Sequence, residues 1–414
     1  MQILIIHQAF AALDEAGGTR HYEMAQHLVR RGHQVTIIAS PISYLTGRSR
    51  TERIPWLTVE EPEPGIRILR TYTYRAFHKS FVHRVFSFLS FMVSAFLVGL
   101  RQPHIDLVWG TSPPIFQGVT AWLIARLKGI PFLFEVRDLW PAFAIAVGVL
   151  KNRLIIRPSL WLERFLYTHA DVVMVNSPGY IDHVKERGAK QVELIPNGVD
   201  PDMFAVDPAQ RDRFREQHQL ADRFVVTYAG AHGISNDLHI VLDAAQLCSD
   251  HENICFLLVG DGKEKPNLQQ SVTEMGLKNV IFLPPVAKKE MTAVLAGSDA
   301  CLAILKPIEM YKTTYPNKVF DYMAAARPVV LAIDGVIREV VEEAQGGIFV
   351  QPGNPQAMAD AVIHLATHPE DSRHMGERGC AHVSAHFNRG AITDTLALLL
   401  EQMEQTHGRK NRRR

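Results

Sequence analysis

Lys318 and Asp321 lie three positions apart in YPNKVFDYMAAARPVV, residues 315–330, directly after Pro316 and Asn317. Pro316 and Asn317 read as a helix entrance, with Asn317 as the N-cap. The first-turn amides and dipole of such a helix attract an anion, to which Lys318 adds a full charge. Asp321, one turn on, is a carboxylate able to accept two hydrogen bonds from a diol such as a ribose. A nucleoside diphosphate carries both groups. The plainer reading is a surface i,i+3 ion pair worth about 0.3 kcal/mol.

Glycines at the ends of apolar runs bear on that choice. Gly230, Ala231, His232 and Gly233 follow FVVTYA, and Gly260, Asp261, Gly262 and Lys263 follow ICFLLV. Near the start, Gly17 and Gly18 precede Thr19 and Arg20. Glycines let a backbone approach a ligand closely, and free N–H groups at a helix start favour an anion. A plain turn before the helix explains Gly17 and Gly18 equally well. No GxGxxG is present, and no acidic residue follows QVTIIAS at the place a dinucleotide's ribose would need one, so a nicotinamide cofactor gains little support.

The elements that must position these residues alternate in kind. QILIIH, QVTIIAS, GIRILR, DLVWG, PFLFEV, DVVMVN and QVELIP are continuous apolar runs of strand length, separated mostly by helix-like stretches such as TRHYEMAQHLVRRG. In that stretch Tyr22, Met24, Ala25, Leu28 and Val29 form an inward face. FVVTYAG, ICFLLVGDG, NVIFLPPV, DACLAIL, RPVVLAI and GGIFVQP make a second series. Runs buried on both faces predict parallel sheets, and two such series predict an α/β chain of two tandem Rossmann-like, doubly wound domains. Their boundary is expected at PNGVDPDMF, giving domains over 1–197 and 198–390, with a terminal helix over 391–414 packing back on the first domain and ending in the basic tail RKNRRR. Ligands of this architecture bind at the carboxyl ends of the strands, facing a cleft.

Composition narrows the partners. The net charge is +1, which argues against nucleic acid. Residues 1–195 nevertheless carry 22 Lys and Arg against 15 Asp and Glu, and the remainder 22 against 28, so the first half can face an anionic surface. Four dispersed cysteines, Cys248, Cys255, Cys301 and Cys380, read as reduced thiols of a cytoplasmic protein. MQILIIHQAF reads as a strand, without the charged lead-in of a signal peptide. From 64 to 105 there is no acidic residue but there are Arg67, Arg70, Arg75, Lys79, Arg84 and Arg101, around the apolar stretch FVHRVFSFLSFMVSAFLVGL. Its uncharged core is short for a membrane span, which needs about 20 residues. Ser87, Ser90 and Ser94 recur at helical spacing in line with Arg84 and Arg101, so helix 81–101 is expected to be amphipathic, either covering the sheet or dipping into a membrane interface.

Gly17-Gly18-Thr19-Arg20, RRGHQVT, EVRDLWP, PNGVD, GDG, YPNKVFDYMAAARPVV and GGIFVQPGNP, in this order over nearly the full chain, resemble glycosyltransferase family 4, and within it the branch that builds bacterial O-antigen and capsule units, including proteins assigned to L-fucosamine transfer. That resemblance implies a GT-B fold and a retaining, metal-independent transfer from a nucleotide-sugar, with a UDP-sugar expected, to a polyprenyl-diphosphate-linked saccharide. It implies donor binding by Gly230, Gly233, Gly260, Gly262, Asn317, Lys318 and Asp321, and acceptor binding by Gly17, Gly18 and Arg20. Where many members have a His-Asp pair, this chain has Arg137 and Asp138, implied to contact the donor and to orient the acceptor hydroxyl.

The chain also departs from the family. Two glutamates eight positions apart are usual; here Asp321 stands in the later place and Thr313 in the earlier, and AGAHGISND lacks the usual Arg and Lys for the diphosphate. No cofactor or metal is expected: Asp200-Pro201-Asp202 imitates a metal-binding DXD, but follows PNG and suits a turn. Front-face substitution, implied by the resemblance, needs no side-chain nucleophile. The expected place is the inner face of the cytoplasmic membrane, bound peripherally. A GT-B sugar-nucleotide epimerase, or a non-catalytic partner subunit of a transferase complex, would share the fold.

Overall fold

The structure is a computed structural model that describes all residues except 44–46, 48, 76–80, 206, 221 and 413–414, and gives no side-chain description at 81 and 409–412. Lys79 and the last two arginines of the basic tail therefore lie outside the described residues. The chain forms two compact units: Met1–Ala12, Gly17–Pro196 and Gly390–Arg414 make the first, Leu13–Ala16 and Asn197–Arg389 the second.

The first unit holds an eight-stranded sheet. Its strands are β1 (Gln2–Ile6), β2 (Gln34–Ala39), β3 (Leu57–Glu63), β4 (Ile66–Thr71), β5 (Leu107–Ser112), β6 (Phe132–Val136), β7 (Val172–Val175) and β8 (Val192–Leu194), in the order β3-β4-β2-β1-β5-β6-β7-β8. The seven strands expected from apolar runs all form and pair in parallel. The eighth, β3, was not expected, and it runs antiparallel to β4 at the sheet edge with a register shift between Glu60 and Glu63. LTVEEPE offers no continuous apolar run, and its glutamates and proline are tolerated because an edge strand has one side unpaired.

The second unit holds β9 (Phe224–Ala229), β10 (Ile254–Val259), β11 (Val280–Leu283), β12 (Ala300–Ile304), β13 (Val329–Ala332) and β14 (Gly347–Phe349), all parallel, in the order β11-β10-β9-β12-β13-β14. One apolar layer, with Val319, Phe320, Met323, Ile337 and Val341, covers one side of this sheet. Another, with Val241, Leu242, Leu268, Met358 and Val362, covers the other, which is why its strands are apolar on both faces rather than at alternate positions, with Thr227 in β9 as a buried polar exception. Strand order reverses between β1 and β5 in the first sheet and between β9 and β12 in the second, and at such points the loops part to leave a crevice.

Two elements bear on partners. The last helix, Arg389–Arg412, continues into the basic tail, and is tied within the first unit by Arg31 to Asp394 at 2.9 Å and by His33 to Glu401 at 3.3 Å. The Phe81–Leu100 helix is amphipathic, but with the serines on the protein side. Ser87 and Ser94 are buried, Ser94 Oγ donates to the Tyr72 carbonyl at 2.7 Å, and Ser90 Oγ accepts from the Tyr74 amide at 2.8 Å. Val82, Phe86, Leu89 and Val93 point outward instead, 59%, 56%, 48% and 58% exposed. Ser90 and Ser94 satisfy backbone groups of the segment after β4, while the buried Ser87 Oγ has no hydrogen-bond partner. Of the four cysteines, Cys248, Cys255 and Cys301 are buried and Cys380 half-buried, all as free thiols.

Candidate functional site

In the second unit the candidate site gathers at the carboxyl ends of β9, β10 and β11. Gly230 has φ +152°, and a Cβ there would stand 2.7 Å from Lys318 Nζ. Gly260 and Gly262, at φ +148° and +158°, let the two glycine loops meet backbone to backbone: a Cβ on Gly262 would lie 2.4 Å from the His232 carbonyl oxygen. The His232 amide donates to the Asp261 carbonyl at 2.8 Å, locking the loops together. Gly233 is an ordinary turn residue whose carbonyl accepts from the Asn236 amide at 3.0 Å. The glycine loops and Lys318 thus converge as the sequence implied.

The Lys318–Asp321 pair does not form. Lys318 Nζ sits 3.8 Å from the centroid of the Tyr228 ring and makes no ion pair among the described residues. Burial pulls its ammonium down to about 7. Asp321 is paired with Lys288, Nζ to Oδ2 at 2.6 Å, and this lysine was not picked out from the sequence. The Asn317 side chain stands 3.5 Å from both Asp321 oxygens. Asn317 is not the N-cap: the helix is Asn317–Ala324 and Pro316 precedes it, because the Pro316 backbone is held extended at φ −69°, ψ 121°. Asn317 Oδ1 accepts from Arg389 Nη2 at 3.3 Å, so its oxygen is engaged away from the helix amides.

One further cation and a histidine border the same loops. Lys265 Nζ donates to the carbonyls of Gly260 and Leu283 at 2.7 and 3.0 Å. His232 is fully buried, neither ring nitrogen has a hydrogen-bond partner, and burial, then Lys265 and Lys318, lower it to about 4. The strand series did place the end of β11 here, and Lys288 opens the next helix, Lys288–Gly297, so the signal for it was a basic residue after a strand end. Thr313, in the place of the family's earlier glutamate, donates to the Met310 carbonyl at 2.7 Å. Asp200 precedes one turn of 3-10 helix, Pro201–Phe204, with Pro201 in its first turn and no capping bond from the Asp200 side chain.

In the first unit Gly17 and Gly18 precede the Arg20–Arg30 helix, with Thr19 at its cap position. Gly17 has φ +151°, and Gly18 leaves room for Arg137, whose Nη2 would be 3.6 Å from a Cβ there. Arg20, implied to hold acceptor, is instead buried: Nε meets Glu135 Oε1 at 3.1 Å, and Nη1 and Nη2 donate to the carbonyls of Pro196 and Ile195, each at 2.7 Å. Glu135, inside β6 and fully buried, also accepts from His21 Nε2 at 2.5 Å and Trp109 Nε1 at 3.2 Å. Burial opposes its ionisation, but the charge and hydrogen bond of His21, with Arg20 and Arg137, hold it well below the usual carboxylate range. Arg137 Nη1 donates to His7 Nε2 at 2.9 Å. Asp138 has its Oδ1 sealed from solvent without a hydrogen bond, and burial, offset in part by Arg137, raises it to about 6. His7, His21 and Glu135 were not picked out; the available signal was the glutamate inside the otherwise apolar PFLFEV, since an ionisable group in a core strand needs partners.

The chain can be set beside known proteins. A family model described as "Glycosyl transferase 4-like domain" matches residues 16–198, and one described as "Glycosyl transferases group 1" matches residues 223–368. WcaI of Escherichia coli K12, a glycosyl transferase named for colanic acid biosynthesis, is 24% identical over 371 residues, covering 86% of this chain and 90% of WcaI. Among solved structures, the sucrose-phosphate synthase of Thermosynechococcus elongatus superposes with a TM-score of 0.80 at 19% identity, over 98% of this chain and 99% of that one. Anabaena HepE, solved in complex with UDP, gives 0.70 at 18% identity, over 97% and 100%. Both halves match, in order and across the units that carry the converging glycine loops: the chain belongs to the group 1, family 4-like glycosyltransferases and has their two-domain GT-B fold.

Proposed function

We propose that this glycosyltransferase moves one sugar, with retention, from a UDP-sugar to a polyprenyl-diphosphate-linked saccharide in cell-surface polysaccharide assembly, without a metal. The observation that carries the donor half is Lys318, a cation held over Tyr228 at 3.8 Å, beside two glycine loops, with no counter-ion among the described residues. Such a cation is stabilised by an arriving diphosphate. Asp321, steadied by Lys288 and one turn further along, is placed to accept from a ribose diol, while Asn317 and the amides after Gly230 and Gly260 shape the approach. HepE was solved with UDP and WcaI is named for polysaccharide synthesis, which supports the same donor and setting. In the first unit Arg137 supplies positive field at the reacting phosphate and Asp138 orients the acceptor hydroxyl, beside Gly17 and Gly18.

The test is calorimetric titration with UDP, GDP and ADP, first without and then with magnesium. UDP is expected to bind, equally in both conditions, and Asp321→Asn to weaken it by roughly tenfold, as for a hydrogen bond to a charged group. Preference for another base, dependence on magnesium, or an unchanged Asp321→Asn would each overturn one part of the reading.

For the acceptor half, the outward face of the Phe81–Leu100 helix lies beside Arg84 and Arg101 in a segment without acidic residues, a composition suited to an anionic lipid surface. The full chain should co-sediment with vesicles containing anionic phospholipid. Exchanging Val82, Phe86, Leu89 and Val93 together for serine should release it while leaving the UDP titration unchanged. Retained vesicle binding in that variant would remove the helix from the membrane contact.

A further inference from the structure

The edge of the first sheet carries an exposed aromatic pair that no motif identified. Trp56 lies just before β3 and Tyr72 just after β4, and the Tyr72 amide donates to the Trp56 carbonyl at 3.0 Å, so the antiparallel pairing runs one residue past both strands. Their rings are stacked, with centroids 6.4 Å apart and 13° between the planes. Trp56 is 50% exposed and Tyr72 37%. Neither the indole N–H nor the phenol hydroxyl has a hydrogen-bond partner among the described residues. A cross-strand aromatic pair steadies a hairpin, but that role does not call for exposure.

Position gives the pair its meaning. β4 ends at the carboxyl edge of the parallel sheet, two strands from β1 and so about 10 Å from it. Leu69 pairs with Ile38, against which Gly99 of the Phe81–Leu100 helix packs, so that helix covers the Leu69 side. Tyr72, an odd number of residues away, faces the opposite side, as does Arg70. The Arg70 guanidinium lies 5.6 Å from the centroid of Phe10, a residue of the loop that runs from β1 towards Gly17 and Gly18. The pair therefore stands at the same rim and on the same face as the loop assigned above to the acceptor. Thr58 and Glu60 of β3 share that face, and Glu60 Oε2 is 3.4 Å from Arg70 Nε. The exposed apolar residues of β3, Leu57 and Val59, belong to the other face.

We propose that Trp56 and Tyr72 form a platform for a sugar ring of the acceptor, beyond the ring that reacts. The proposal rests on the reading above, in which the acceptor is a saccharide held by the first unit. The C–H groups on one face of a pyranose are apolar and weakly positive, whereas the faces of an indole and a phenol are negative, so the sugar lies flat on them. Two near-parallel exposed rings offer such faces in one orientation. The indole N–H, the phenol hydroxyl and the Glu60 carboxylate supply donors and an acceptor for the sugar hydroxyls around the stack. Two other occupants fit less well. Trp and Tyr also favour membrane interfaces, but the outward apolar residues of the Phe81–Leu100 helix lie on the other side of the sheet. A second copy could pair with the edge strand, but Glu61 and Pro62 in β3 oppose such pairing.

The test uses the full-length protein labelled with 5-fluorotryptophan, which gives a fluorine resonance for each of the five tryptophans, that of Trp56 being assigned by its loss in Trp56→Phe. Chitotetraose and cellotetraose, whose rings carry equatorial hydroxyls, are expected to shift the Trp56 resonance saturably. Sorbitol, an open-chain polyol, should leave it in place. Trp161, 65% exposed on the helix Arg153–His169, is the internal control and should not move. Tyr72→Ala should weaken the tetrasaccharide titration by roughly fivefold or more, and Tyr72→Phe, which keeps the ring, by about twofold at most. UDP affinity should stay unchanged in every variant. No shift with either tetrasaccharide, an equal shift at Trp161, or a shift with sorbitol would overturn the platform. Loss of vesicle co-sedimentation in Trp56→Ala, or a dimer that Trp56→Ala converts to monomer, would overturn it in favour of a lipid surface or a second copy. Failure of the wild type to bind UDP would instead refute the donor reading, with the Trp56 titration still deciding the platform.

Discussion

Replacing Lys318 by methionine is expected to raise the melting temperature of the free protein and, in the same variant, to weaken UDP binding by roughly 10- to 150-fold, the 1.5–3 kcal/mol of hydrogen bonds to a charged group. Both effects have one cause. Folding strips water from the ammonium and sets it over the face of Tyr228 with no ion pair among the described residues, so burial brings its pKa from the ordinary lysine value to about 7. A base with a lowered folded pKa destabilises the fold while it is charged. That cost is fully present below about pH 7 and gone above the unfolded value of about 10.5, so the free protein should gain stability as pH rises through this window. Methionine is nearly the same length, carries no charge, and should erase that slope. Binding runs in the opposite sense: a diphosphate favours the protonated lysine, so affinity should be highest near or below pH 7 and decline above it. Titrations in buffers of different ionisation enthalpy should report proton uptake at pH 8 by the wild type and none by Lys318→Met. A variant that binds UDP as tightly as wild type would remove Lys318 from the donor site.

Glu135→Gln is expected to have the largest effect on stability. Glu135 is fully buried inside β6 and is the shared partner of Arg20, His21 and Trp109. Removing its charge breaks the buried ion pair that Glu135 makes with Arg20 and its hydrogen bond with His21 in a low-dielectric interior, which costs about 3–5 kcal/mol. For a unit of this size that is on the order of 10 °C in melting temperature. The loss should be confined to the first unit, because every partner of Glu135 belongs to it. Differential scanning calorimetry should therefore show one transition shifted down and one in place, and UDP should still bind below the lower transition. A shift of less than 1 °C would mean that Arg20 and His21 find other partners.

The sequence determined the strands by a rule that depends only on burial: thirteen of the fourteen were apolar runs that could exist only between two layers of helices, and the two series required two parallel sheets. The strand ends, and with them the glycine loops at 230 and 260, followed directly. β3 escaped because an edge strand needs no such run. What the tertiary structure decided was partnership. Three positions on a helix place Lys318 and Asp321 near each other, yet the carboxylate went to Lys288, from a helix 33 positions away, and the lysine to an aromatic ring. Ser90 and Ser94 of the Phe81–Leu100 helix face inward and meet backbone groups after β4, a demand invisible in the helix itself. Arg20, adjacent to the glycines, was consumed by Glu135 from a strand that its own sequence neighbourhood does not reveal. Periodicity and burial are local properties, so a sequence states them. Which charge meets which is settled by the distances that folding creates, because Coulomb and hydrogen-bond energies depend on separation in space and on the water removed.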